Sequence, residues 1–180
     1  MTKRIEHATR TEYGYQRTTC GCHTCVTNCR FMPGFLIPSD IERLCPAVTE
    51  TSVDVPGLVE WATETLLASE GALVQRTDGT RFHIRTIVMA SKPDGTCKQL
   101  TSGGLCQVHA AAPFGCAFFD CDLDNPRMEL SKRALMDLAG LSPQSLYVQL
   151  WDMLWSLGLR AEPLVVRRGK MDAYLKERGM

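Results

Sequence analysis

Apolar positions along the chain change period several times, and each change marks an element. Leu58, Trp61, Ala62, Thr65 and Leu66 recur at helical spacing behind Asp54, which predicts a helix over residues 55–69 capped by Asp54 and stopped by Gly71. The pattern then alternates. Ala72–Thr77 and Thr80–Arg85 flank Asp78-Gly79, the composition of a hairpin whose type I′ turn needs positive φ at both central residues. Phe82, Ile84, Thr86 and Val88 fall on one face of the second strand, with Arg81, His83 and Arg85 on the other.

Beyond residue 126 the helical period returns. A helix over 127–139 ends at Gly140. A second starts from Ser142 as cap with Pro143 at its first position, carries Leu146, Tyr147, Leu150, Trp151, Leu154 and Trp155, and stops at Gly158. A last helix covers about 170–178. The Trp151 and Trp155 stripe reads as core packing. Upstream, Ser39-Asp40-Ile41-Glu42 has the form of a capping box, and the short helix it opens ends at Leu44 or Cys45 because Pro46 follows. The fold class expected is α+β. A loose lead-in (1–19) precedes a cysteine-rich domain of irregular cysteine loops, a helix pair and a β-hairpin (20–126), and a helical segment (127–180) packs on it.

The irregular stretches hold the chemistry. Cys20, Cys22, Cys25 and Cys29 crowd into ten residues, and Cys97, Cys106, Cys116 and Cys121 form a second, more open group. Thiolate is the ligand of soft or borderline metals, so such groups point to zinc, an iron–sulfur cluster or copper(I). The first spacing, C-x-C-x2-C-x3-C, matches neither the bacterial ferredoxin run nor the C-x3-C-x2-C order of radical enzymes. Two sites of four is the simplest partition, and one site drawing on both groups is its rival. Cys45, the ninth cysteine, reads as a buried, inert thiol at a helix C-terminus. His23 and His109 lie inside the cysteine blocks, where a hydrogen-bonding role is favoured over ligation. Asp120, Asp122 and Asp124 lack the glycine and terminal glutamate of a calcium loop and read as surface carboxylates.

Charge narrows the partners. Twenty Lys and Arg balance twenty Asp and Glu, so no long-range pull towards nucleic acid or an anionic membrane is expected. Apolar runs are shorter than the ~20 residues that span a bilayer. Residues 1–7 carry charges with no apolar segment behind them, unlike a secretory signal. A cytoplasmic setting follows, in which thiols stay reduced and clustered cysteines favour metal over disulfides.

Cys22-His23-Thr24-Cys25 through Arg30, Ile37-Pro38-Ser39-Asp40-Ile41-Glu42-Arg43-Leu44, Cys97-Lys98-Gln99-Leu100, Cys106-Gln107-Val108-His109 and Pro113-Phe114-Gly115-Cys116-Ala117-Phe118-Phe119 together resemble the YkgJ-type cysteine-cluster family over residues 20–121. The resemblance implies a zinc- or iron-chelating domain with eight cysteines. A related domain in flagellin lysine methylases implies an iron–sulfur cluster, of the [4Fe–4S] type, over zinc. Here the first block departs from the family's C-x2-C-G-x-C-C, and Ala112-Pro113 stands where Arg-Pro is usual. The expected function is therefore metal binding with a redox or cluster-based role. The alternatives are a zinc-stabilised interaction module and a cluster enzyme with an open iron. A protein or small-molecule partner stays unspecified.

Overall fold

The computed structural model describes residues 21–49, 51–117 and 125–179. Cys20, Cys121, the lead-in 1–19 and Asp120, Asp122 and Asp124 lie outside the described residues. The chain is α+β, an antiparallel hairpin surrounded by helices, with a helical C-terminal part.

In chain order the elements are α1 (His23–Phe31), α2 (Pro38–Leu44), α3 (Val55–Thr65), β1 (Leu66–Gln75), β2 (Arg81–Met89), a 3₁₀ turn (His109–Ala111), α4 (Phe114–Ala117), α5 (Asn125–Ala139), α6 (Leu146–Ser156) and α7 (Leu164–Glu177). The first cysteine run is thus helical from His23 onward rather than an irregular loop. Cys22 is its N-cap, and Cys25 and Cys29 follow on the same side at spacings of three and four.

Several expected boundaries move. α2 is capped two residues earlier than Ser39, at Ile37 with Pro38 at its first position. The carboxylate that reaches back belongs to Asp40: its Oδ2 accepts from Ile37 N at 3.0 Å. α3 ends at Thr65, not 69, because Leu66 enters β1. Gly71 stops no helix. It sits at a register break between Ser69 and Ala72 with φ +70°, and a Cβ there would lie 2.0 Å from the Ile84 carbonyl oxygen. Asp78-Gly79 turns the hairpin as expected, but only Gly79 has positive φ. The turn closes by Gly79 N to Arg76 O (3.0 Å), which makes Gly79 the left-handed residue after a type I turn rather than half of a type I′ pair. The cap of α6 is Ser145, whose Oγ accepts from Val148 N, and Ser142 belongs to the preceding turn. α7 begins well before residue 170.

The main core lies between the hairpin, α2, α3 and α6, and holds Leu36, Ile41, Leu58, Leu66, Ile84, Ile87 and Leu154. Cys45 is buried there, as the sequence suggests. So is Trp151, with Trp155 stacked on it at 4.7 Å between centroids. Two short segments flank the hairpin edges. Phe35 bridges to Val88 on β2, and Arg160 bridges to Ala68 on β1. A smaller cluster, Ile37, Ala112, Phe114 and Ala117, packs against Leu130 and Ala134 of α5. No described helix is long and apolar enough to cross a membrane.

Candidate metal centre

Four thiols lie in one neighbourhood, carried by α1, the loop after β2 and α4. Cys29 comes from the last turn of α1. Cys97 is tied to the same turn, since its N donates to Arg30 O at 2.8 Å. Cys106 is bridged back to Leu100 across a tight loop, whose Gly104 (φ +76°) rests 3.3 Å from Val26 of α1 if given a Cβ. Cys116 lies in α4, and its Sγ accepts from Gly34 N at 3.1 Å.

The thiols sense one another. The Cys29 pKa is raised by desolvation and then by Cys106. Cys29 keeps solvent-accessible surface, yet the protein atoms around its sulfur still desolvate the anion. Cys97 is pushed up to about 11, chiefly by burial, with Cys106 and Cys29 adding to it. Burial raises Cys116 furthest, with contributions from Cys29, Cys97 and Cys106 and an opposing hydrogen bond from Gly34. Every pair among the four is coupled. Four neighbouring thiolates repel one another in a low-dielectric site, so the protons stay on unless a cation takes their place.

This grouping crosses the division drawn from spacing, because one member of the first run joins three of the second. Cys25 and Cys22 lie one and two turns back from Cys29 along α1, Cys25 buried and Cys22 exposed. As the side chains stand, no three His, Cys, Asp or Glu among the described residues converge closely enough to hold an ion. The sulfurs are thus near enough to interact electrostatically without sharing one coordination point. His23 faces Thr27 Oγ1 at 3.4 Å, the local hydrogen-bonding role expected of it.

Two backbone features hold the site, and spacing alone does not reveal either. The first is a crossing of two glycines. A Cβ on Gly34 would sit 2.0 Å from Gly115 C, and one on Gly115 would sit 2.4 Å from Phe35 N. Gly115 N donates to Phe35 O at 2.9 Å across the crossing. Only this close approach lets Gly34 N reach the Cys116 sulfur. The available signal was a glycine in each of two separate blocks, Pro33-Gly34-Phe35 and Phe114-Gly115-Cys116. The second is Asp40, fully buried, which also accepts from Phe114 N at 2.7 Å and from Arg43 Nη2 at 2.5 Å. Arg43 donates in turn to the carbonyls of Ala111 and Ala112. The start of α2 thereby clamps the segment that delivers Cys116.

Comparison with family models, curated proteins and solved structures gives no match.

Proposed function

We propose that the chain is a metal-binding protein that holds its metal through Cys29, Cys97, Cys106 and Cys116. What supports this reading is the placement of thiols from both ends of the cysteine-rich region in one neighbourhood: Cys97 is tied by its N to Arg30 O beside Cys29, Cys116 Sγ is held by Gly34 N, and the charge of each thiolate disfavours that of its neighbours. The donor set fits a soft metal: it is all sulfur, with no carboxylate among the four. When bound, the metal would replace the thiol protons and cancel the repulsion between thiolates, so metal binding and folding would be coupled. An iron–sulfur cluster, [4Fe–4S], is taken ahead of zinc on the resemblance to the YkgJ-type family. Cys20, Cys22, Cys25 and Cys121 would supply a second set of ligands. A redox role follows if iron is held, and a structural role if zinc is held.

Anaerobic purification followed by elemental analysis, acid-labile sulfide assay and absorption spectroscopy tests the reading. Iron with sulfide and a broad visible band supports the cluster. A colourless protein with stoichiometric zinc keeps the thiolate site and replaces the cofactor. Metal content unchanged in Cys29→Ser, Cys97→Ser, Cys106→Ser and Cys116→Ser alike would sink the proposal.

A further inference from the structure

A cleft of about 530 Å³ opens over the hairpin between the two segments that flank its edges. Its size is within the roughly 300–1,000 Å³ usual for small-molecule sites. The floor is apolar, formed by Phe35, Val88, Leu135 and Trp155. The glycine bulge of β1 belongs to the wall: Ser69, Gly71 and Ala72 all line the cleft. The bulge is pinned in place by Trp151 Nε1 donating to Ser69 O at 2.9 Å and by Gly71 N donating to Ser69 Oγ at 3.1 Å. Residue 71 cannot gain a Cβ without striking Ile84 O, so this opening is a built feature of the strand pair.

The charged groups on the rim are not equivalent. Arg160 is engaged, with Nε donating to Trp155 O at 3.1 Å and its guanidinium 4.2 Å from the Trp155 ring centroid. Glu162 is held by Lys170 at 2.7 Å. Arg167 differs from both: its Nε is buried and has no hydrogen-bond partner. A buried donor without an acceptor is costly, and burial also disfavours the guanidinium charge, which Glu162 only partly offsets. α7 also starts at this rim, at Leu164, with no side-chain cap on its N-terminus. Its dipole adds positive potential on the same side as Arg167.

We propose that this cleft binds a small organic anion with a flat apolar body, its anionic group paired with Arg167. The apolar floor takes the body, and Trp155 offers it an aromatic contact. Arg167 takes the anionic group as a charge-assisted pair, which gives its Nε the missing acceptor. Glu70 and Glu162 on the rim oppose an anion, so the anionic group has to sit at the Arg167 side of the cleft, where Lys170 offsets Glu162. The proposal does not depend on the metal reading: no cysteine lines the cleft, although Gly34 borders it and also donates to Cys116 Sγ.

The test uses the full chain and two fluorescent probes of similar shape, 8-anilinonaphthalene-1-sulfonate, which is anionic, and N-phenyl-1-naphthylamine, which is neutral. The expected result is that the sulfonate binds the wild-type chain with tighter affinity than the amine. Arg167→Gln then weakens the sulfonate roughly tenfold, the loss of one charge-assisted contact, and leaves the amine within twofold. Ala72→Trp, which fills the cleft, removes both. Thermal melts of both variants check that the fold persists. Benzoate and phenyl phosphate are then used as competitors: displacement by either one supports the proposal and names carboxylate or phosphate as the anion. Equal loss of both probes in Arg167→Gln, retained sulfonate binding in Ala72→Trp, or displacement by neither competitor would overturn it.

Discussion

Replacing Tyr147 by Phe isolates one hydroxyl that ties the site-bearing segment to the sheet. The ring is 2% exposed. Its OH donates to Leu36 O at 2.9 Å and accepts from Ile87 N at 2.8 Å. Desolvation, aided by the nearby Asp40, raises the phenol far above its ordinary range, so it remains a neutral donor at any working pH. Phe keeps the ring and its packing, and the loss is polar. The Ile87 N–H is left in a dry core, at about 1–3 kcal/mol for an orphaned donor, and the Leu36 carbonyl loses a bond of about 1 kcal/mol. The sum is about 3 kcal/mol, which for a chain of this size lowers Tm by about 6–12 °C. Urea unfolding with an unchanged m-value checks the magnitude, and amide exchange checks the mechanism. The Ile87 amide should lose more protection than its neighbours in β2. A stability loss under about 1 kcal/mol, or an Ile87 amide exchanging at its wild-type rate, would refute the assignment of this hydroxyl as the tie between Leu36 and the sheet.

Other perturbations probe the site directly. Gly34→Ala places a methyl in the backbone of Gly115, and unfolding should show a loss of about 4 kcal/mol or more together with a fall in bound metal, whereas Gly21→Ala, which meets nothing within 4 Å, should leave both unchanged. Asp40→Ala orphans the Ile37 and Phe114 amides and leaves Arg43 without its carboxylate, for about 3–5 kcal/mol in chemical denaturation. The metal-free chain should lose stability in alkali. Cys97 rises from 9.0 to about 11 on folding, so the folded state holds that proton more tightly. Its contribution is complete below pH 9 and fades as pH climbs through about 11, by roughly 3 kcal/mol in all. Melting curves from pH 8 to 11 should show this decline, and Cys97→Ala should lessen it by the Cys97 share while Cys29 and Cys116 keep theirs. Metal uptake by the same chain should release protons and tighten with pH, measured by chelator competition in two buffers of different ionisation enthalpy.

The hairpin, the helical C-terminal part, the burial of Cys45 and the packing of Trp151 were legible in the chain because each rests on a local period or a turn residue. The misplaced details have specific physical causes. Ser39 and Ser142 are good capping residues, but Pro38 suits the first position of α2 and Ser145 stands nearer the apolar run of α6. Gly71 reads as a helix stop until the β2 carbonyl that excludes its Cβ is known. The first cysteine run looked irregular because its glycine and polar residues suggest a loop, while packing against Tyr174 of α7 through Phe31 supports a helix. Spacing left a site drawing on both cysteine groups open as a rival, but it could not say that Cys29 would be the member of the first run to lie near Cys97, Cys106 and Cys116. That association depends on where two distant segments cross, and no local pattern encodes that.

The glycine crossing also sets a timetable. Gly34 and Cys116 are 82 residues apart in the chain, and the bond between them closes only after everything between has been made. Contacts of such separation form late, since loop closure must be met before they reward the fold. During synthesis Cys22, Cys25 and Cys29 therefore leave the ribosome long before their neighbours in space. For that interval they are open to oxidants and to any thiophilic metal at hand, and of the three only Cys25 is buried once the chain has folded.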